Sequence, residues 1–489
     1  MHKVIAWIGL TFSVAGSLWA QTGLAPVGTG ATPFALAQDY RAMGWNPAGL
    51  SFHCFDPQIK SAAGSFEGGV SIRSTMLERS DLWDDLLNRE GSQESWTGLN
   101  SSEWVDRIKG ETIDVDASAI VAGSYRHIGK WGIAYVHRQS FQASILLGEE
   151  TASLLFEGGA SSLFDFVVLA SGDTVANNGE WNLGEVGEVV QGFGGGALLS
   201  NILGNSRLGF SYTKSHEVGI ARSWGKPNEG WQLHTGLSGR IILGNGYFSV
   251  QNREDGTLDA FGAFSRGFSV PTFDTVAATI VDPTFDRIRN WGPVGQGWGT
   301  DVGATLSLAD QMWVSAAVNN IGWVEWRGEN YFTDGTAVEN WNLTANAPNA
   351  WIDAVSEAMD PATWFDDGEA ETRRVALPLS VQIGGGMRVG KGLILAADAS
   401  FSDPNNLQAE GMRGGVSAVI RLLPWVRIDG GIRKLQDETM RIPVGIVFEN
   451  PKGGIQGGLQ LSDAQGLWKE SSPEIGMNFC FLRWVWKTE

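Results

Sequence analysis

The stretch Thr112-Ile113-Asp114-Val115-Asp116-Ala117-Ser118-Ala119-Ile120-Val121-Ala122-Gly123-Ser124-Tyr125-Arg126 alternates with a period of two. Ile113, Val115, Ala117, Ala119, Val121, Gly123 and Tyr125 share one face of an extended chain, while Asp114, Asp116, Ser118, Ser124 and Arg126 share the other. Successive side chains of a strand point to opposite faces, so this is a half-buried strand with an apolar and a polar side. A turn at His127 to Lys130 leads directly into a second such strand, Trp131 to Leu146.

The device recurs along the chain. Leu208, Phe210 and Tyr212 oppose Arg207, Ser211 and Thr213; Leu233, Leu237 and Ile241 oppose Gln232, His234, Ser238 and Arg240. Val302, Ala304, Leu306 and Leu308 oppose Asp301, Thr305 and Ser307, and Met312, Val314, Ala316 and Val318 oppose Ser315 and Asn319. In the C-terminal third, Arg413, Arg421, Arg427, Asp429, Arg433 and Arg441 share a face with Gly and Ser, opposite Val, Ile, Leu and Phe. The pattern predicts fourteen strands, at 66–76, 112–126, 131–146, 206–218, 230–242, 297–307, 311–320, 376–387, 391–402, 410–422, 425–434, 440–449, 453–463 and 474–487. If the last strand descends to the periplasm, the tight turns near 309, 390, 423 and 451 all fall on that side. The connections 321–375, 403–409, 435–439 and 464–473 then fall outside. Short periplasmic turns with long external loops mark an outer-membrane barrel. The reading is an all-β, 14-stranded antiparallel up-and-down transmembrane β-barrel spanning 66–489.

Composition agrees. Sixty-five Gly, 22 Trp and 23 Phe stand beside 6 His and 2 Cys, which suits Gly-rich strands whose outer face meets lipid with aromatic residues at its edges. Residues 1–20 read as a signal peptide: His2 and Lys3, an apolar run from Val4 to Gly16, and a cut after Ala20. No later run reaches the roughly 18 apolar residues of a membrane helix. The formal charge of −19 argues against nucleic acid. These features place the chain in the outer membrane of a Gram-negative bacterium, with membrane lipid and lipopolysaccharide as neighbours.

Catalysis finds no support. The histidines are scattered without a Glu or Cys at metal spacing, Gly192 to Gly196 lacks the strand–loop–helix setting of a phosphate loop, and Gly204-Asn205-Ser206 lacks the closing glycine of a nucleophile elbow. The chain is read as no enzyme, with no cofactor and no metal site; the acidic run from Asp353 to Glu371 is a solvated loop or a site for cations that bridge lipopolysaccharide. Fourteen strands enclose more space than their own side chains fill. Arg413, Arg427, Asp429, Arg433 and Arg441 therefore line either a hydrated interior or a docking surface.

Ahead of the strands stands Ala35-Leu36-Ala37-Gln38-Asp39, followed by Asn46-Pro47-Ala48-Gly49-Leu50, a rigid turn in which Pro47 fixes its own φ and Gly49 frees the chain to bend. This pairing resembles the hatch of the FadL-type outer-membrane transporters of long-chain fatty acids and hydrocarbons. Gly297 to Ala304 and Asn320 to Trp326 resemble a branch of FadL-like barrels. The resemblance implies that residues 21–65 form a hatch in the lumen, with Asn46, Pro47, Ala48 and Gly49 as its gate. It implies passive uptake of a hydrophobic small molecule, fatty-acid- or hydrocarbon-like, that leaves sideways through the wall. Apolar loop segments then offer capture surfaces: Leu163, Phe164, Phe166 and Leu169, and Leu198 with Leu199. A scaffold or shuttle for secreted or surface-attached proteins is the alternative, because such partners exist among FadL-like barrels and the acidic Trp-rich stretch from Ile321 to Val375 would suit one. Finally, Cys54 follows the hatch motif and Cys480 points inward from the last strand, which pairs with the first. The two either form a disulfide that tethers hatch to wall or remain separate buried thiols.

Overall fold

The computed structural model describes residues 25–56, 58–74, 105–106, 109–110, 112–157, 166–169, 171–176, 186–190, 206–225, 230–252, 258–265, 292–309, 311–333, 369–390, 392–402, 412–434, 440–467 and 474–487. Fourteen strands make one wall: β1 (Ile59–Ser74), β2 (Thr112–Ile128), β3 (Trp131–Leu146), β4 (Arg207–Trp224), β5 (Trp231–Asn252), β6 (Gly295–Leu308), β7 (Met312–Thr333), β8 (Ser380–Val389), β9 (Leu393–Ser402), β10 (Met412–Leu423), β11 (Val426–Lys434), β12 (Val444–Glu449), β13 (Gly454–Leu461) and β14 (Glu474–Lys487). Each pairs antiparallel with its chain neighbours, and β14 returns to β1 from Arg73↔Glu474 to Ile59↔Lys487. The barrel is closed, so the wall has no free edge. Leu258–Phe264 continues the line of β6 between β5 and β7, and Glu369–Ala376 continues that of β8 beside β7.

Every expected strand is present, and several differ in extent: β5 runs on to Asn252, β8 begins at Ser380, and the strand expected at 440–449 is broken between Arg441 and Val444. β1 begins at Ile59 rather than 66, because its first residues are small and carry no apolar alternation. β4 and β5 run down to Trp224 and up from Trp231, which shortens what reads in the sequence as a long periplasmic connection. β7 reaches Thr333, so part of the expected loop 321–375 is strand, and its centre lies outside the described residues. Tight turns follow β2, β6, β8, β10 and β12, all at one rim, helped by positive φ at Gly129, Ala309, Gly390 and Gly453.

Outward side chains form an apolar belt that includes exposed Leu237, Val302, Val314, Ile383, Val416 and Leu459. Aromatic rings bound it. Trp131, Trp224, Trp231, Trp425, Trp484 and Trp486 stand at the turn rim. Phe210 packs 5.7–6.4 Å from Phe141, Phe248 and Phe264 at the other edge. Trp131 and Phe141 are ten residues apart on one strand, which at a tilt of about 40° is roughly 25 Å of height, the thickness of an outer-membrane belt.

The alternation is interrupted by bulges, each of which inverts the facing of the residues beyond it. In β2, Ile120 pairs with Arg138 and Ala122 with His137, so Val121 is the extra residue. Gly123 and Tyr125 therefore face the lumen and Ala122, Ser124 and Arg126 face outward, the reverse of the uninterrupted pattern. On β14 Phe481 and Leu482 both point outward, and on β1 Phe66 does so with φ of 55°. In β7 the break falls at Asn319 and Asn320, opposite Asp301.

Candidate functional site

Residues 25–56 lie within the ring of strands, almost all of them buried. Their path is set by short local devices. Pro33–Leu36 is a single helical turn, Asp39–Ala42 and Pro47–Leu50 are 3-10 turns, and Asp39 adopts φ of 53°, a left-handed conformation that Asp tolerates. Asn46 is extended ahead of Pro47, and its Oδ1 accepts the Ala48 amide at 3.1 Å. Its Nδ2 donates to Thr305 Oγ1 at 3.1 Å. Gly49 is bent against Ala37, whose carbonyl oxygen lies 2.5 Å from where a Cβ would stand.

The segment meets all fourteen strands. On β1 Glu67 accepts from the Tyr40 hydroxyl, and on β2 Gly123 lies under the Tyr40 ring. On β3 Arg138 donates to Met43 O at 3.0 Å and pairs with Glu217 of β4 at 3.3 Å; Gly219 of β4 packs on Met43. Gly236 of β5 touches Pro47, and His234 lies 3.2 Å from Ser51 Oγ. Thr305 of β6 holds Asn46, while Asn319 and Trp313 of β7 donate to the carbonyls of Trp45 (2.7 Å) and Ala35 (3.0 Å). Arg388 of β8 donates to the carbonyls of His53 and Cys54. Asp398 of β9, Ser417 of β10 and Asp429 of β11 accept from the amides of Phe34, Ala31 and Gly30 at 3.1, 2.7 and 2.8 Å. Val447 of β12 packs on Val27, Gln460 of β13 donates to Gly30 O, and Arg483 of β14 pairs with Asp39.

The glycine content of the wall follows from this packing. A Cβ at Gly132 would stand 1.8 Å from Leu50 O, at Gly303 2.2 Å from Asn46 Oδ1, at Gly236 2.3 Å from the Pro47 carbonyl carbon, and at Gly415 2.5 Å from Ala31 O. Close approach of a second backbone is a recognised role of strand glycine.

Asp39, Tyr40, Arg41, Glu67 and Arg483 form a buried polar knot. Burial, with the neighbouring Glu67 carboxylate adding to it, holds the Tyr40 hydroxyl well above its ordinary pKa. His53, packed edge-on against Tyr125 at 5.3 Å, is pushed down to about 4 by burial. The sequence singled out none of these residues for a role: Asp39 and Glu67 are unremarkable until the fold brings them to Arg483 and Tyr40.

The five polar residues expected on the lumen face are there, and they divide between the two readings. Asp429 docks the N-terminal segment, Arg427 lies over the Phe55 ring at 4.2 Å and Arg413 over Trp45 at 5.3 Å. Arg433 and Arg441 instead converge on Glu474 at 3.4 and 2.5 Å. Above the segment, Arg73, Asp116 and Gln142 continue that polar wall. It faces an apolar cluster on β5 to β8 in which Tyr247 stacks on Trp326 at 5.0 Å beside Ile242, Phe261 and Val324. Phe34 and Trp45 line a small cavity against β8 to β11, with Gln382, Asp398, Arg413 and Arg433 at its side.

Of the capture residues, Phe166 and Leu169 lie in a short strand at the centre of a separate three-stranded sheet; Leu163, Phe164, Leu198 and Leu199 lie outside the described residues, as does most of the acidic run from Asp353 to Glu371. The disulfide tether is not formed. Cys54 is turned toward the Leu36 carbonyl, 3.3 Å away, in a cluster with Trp313, whereas Cys480 packs with Val27 and Val447; both thiols are free. The chain between the gate turn and β1 runs along the β8 side, held by Arg388, so proximity in sequence to β1 does not bring Cys54 to β14.

Residues 205–448, from the start of β4 into β12, match a family described as "Family of unknown function (DUF5723)". No curated protein matches the chain. Among solved structures, the P. putida toluene transporter TodX aligns over 96% of this chain and 97% of its own, at 9% identity and a TM-score of 0.41. The CymD monoaromatic hydrocarbon channel aligns over 96% and 99%, at 11% identity and 0.45. The translocator domain of the autotransporter NalP from Neisseria meningitidis aligns over 86% and 88%, at 8% identity and 0.29.

Proposed function

We propose that this chain is an outer-membrane barrel of a Gram-negative bacterium that admits a hydrophobic small molecule, fatty-acid- or hydrocarbon-like, and that its N-terminal segment is a movable hatch. The observation that carries this reading is the ring of contacts to all fourteen strands. A segment that touches the whole circumference closes the bore, and only its displacement opens a path. Its attachments are hydrogen bonds, glycine packing and ion pairs, all reversible, with no disulfide to fix it. The Asn46-Pro47-Ala48 turn, which the FadL-type resemblance reads as the gate, packs against Thr305, Gly303 and Gly236, and this contact supports the reading. The apolar cluster around Tyr247 and Trp326 offers a greasy face above the hatch, while the arginines opposite make a wholly apolar tunnel costly. The favoured cargo therefore slides along one side of the lumen.

A reversible lock tests the reading. With Cys54 and Cys480 replaced by Ser, Asn46→Cys and Thr305→Cys place two thiols where side-chain atoms lie 3.1 Å apart. Entry of a hydrophobic fluorescent probe into cells that carry this variant should stop on oxidation and resume on reduction. Uptake indifferent to the lock would mean that cargo does not pass the hatch.

A further inference from the structure

Between the aromatic rings, the outward face of β5 to β14 is apolar apart from hydroxyls such as Thr235 and Thr300 and, at the upper end of β11, Lys434. β3 and β4 differ. Tyr135, His137 and Gln139 on β3 and Lys214 and His216 on β4 alternate with the inward Val136, Arg138, Ser140, Ser215 and Glu217, and so lie on the outward face, with Tyr212 buried beside them. Among the described residues, His137, Lys214 and His216 form a cluster of basic side chains on that face, with Arg126 and Arg222 down near the lower ring and Lys434 alone at the upper end of β11. His137 and His216 are stacked with centroids 4.5 Å apart. The Tyr135 hydroxyl lies 2.9 Å from His216 Nδ1, the Tyr212 hydroxyl donates to Gln139 Oε1 at 3.1 Å, and the Lys214 ammonium is 5.7 Å from the Tyr212 ring. Hydrocarbon offers such groups no partners.

The hydrogen bonds already made decide what each group still presents. His137 Nδ1 is 3.2 Å from the Ser215 carbonyl, so it carries the proton and leaves Nε2 as an acceptor. The Tyr135 hydroxyl and His216 Nδ1 share a hydrogen bond, so the tautomer of His216 that accepts from Tyr135 presents Nε2–H as a donor. Lys214 is a donor, and Gln139 Oε1 keeps a second lone pair. The register pairs His137 with His216 and Gln139 with Lys214. On the Gln139–Lys214 rung the acceptor stands on β3 and the donor on β4, and the Nε2–H tautomer of His216 gives the histidine rung the same order.

A two-fold axis along the membrane normal, running between these strands, sets β3 of one copy against β4 of the other. Donor then meets acceptor on each rung, and each contact occurs twice, as an isologous interface requires. Exposed Ala122 and Ser124 on β2 and Gly239 on β5, where a Cβ would meet nothing within 4 Å, leave flanks low enough for a second wall to approach. We propose that the outward face of β3 and β4 is an intramembrane interface with a second copy of this chain, specified by the His137–His216 and Gln139–Lys214 rungs.

The two-fold arrangement sets β2 of one barrel against β5 of its partner, so Ala122→Cys with Gly239→Cys should be joined between copies by a short bis-maleimide in native membranes. Val314→Cys with Val416→Cys, on the far wall, should not. Adding His137→Leu, Lys214→Leu and His216→Leu should abolish the cross-link while the barrel keeps its heat-modifiable mobility, and should convert the purified chain from dimer to monomer mass. The proposal is overturned if the folded Ala122/Gly239 variant gives no dimer, if both cysteine pairs cross-link equally, if the captured species is another protein, or if the dimer survives the triple replacement.

Discussion

Asn in place of Asp39 is the most informative single change to the hatch. Asn tolerates the same left-handed backbone and keeps the same shape, so the substitution removes charge and little else. Asp39 and Arg483 are fully buried and paired, with Arg41 on the other carboxylate oxygen at 3.7 Å. With the carboxylate gone, Arg483 retains Gln456 and no full counter-charge from the hatch. Breaking one side of a buried ion pair costs about 3–5 kcal/mol, and each 1.4 kcal/mol is tenfold in an equilibrium. The open fraction should therefore rise by at least about a hundredfold. Recordings of the purified chain in planar bilayers read this directly: long silence for the wild type, frequent conducting events for Asp39→Asn. Adding Arg483→Gln removes the stranded charge and should return the barrel toward silence. Equal open fractions in wild type and Asp39→Asn would refute the idea that this pair holds the hatch.

Gly132→Val, whose Cβ falls 1.8 Å from Leu50 O, should expel the hatch and leave residues 25–56 open to added protease, while the same change at Gly239, on a strand with open space around it, should not. His53 has its pKa lowered to about 4 in the seated hatch; a released His53 takes up a proton from about pH 6.5 downward. Seating should thus be full above pH 6.5 and weaken as pH falls toward 4, by about 1.4 kcal/mol per unit at most, and His53→Gln should flatten that dependence of conductance. Cys54 and Cys480, both buried and unbonded, should give identical electrophoretic mobility with and without reductant and react with maleimide only after denaturation.

The barrel was legible because period-two alternation survives wherever one face meets lipid and the other does not. Tight turns sorting to one side fixed its direction. Two things were hidden. A bulge is one extra residue with no signature of its own, so the inversion at Val121 that turns Tyr125 inward could not be seen in Ile113 to Arg126. Contacts across the lumen also leave no local pattern: Gly132, Gly236 and Gly303 read as flexible strand residues until Leu50, Pro47 and Asn46 lie against them. The Asn46 to Leu50 turn was visible because proline and glycine act locally, whereas the ion pair of Asp39 with Arg483 joins the two ends of the chain. The choice between a bonded and a free Cys54 stayed open for the same reason, since its nearness to β1 in sequence says nothing about which wall it faces.

The conductance of the full chain against that of a chain lacking residues 25–56 tests the central claim most directly. A sealed full-length barrel and a persistently open truncated one are the predicted pair, with both showing the same heat-modifiable mobility. Two equally silent or two equally conducting barrels would contradict it, because the bore would then be closed, or left open, by something other than this segment.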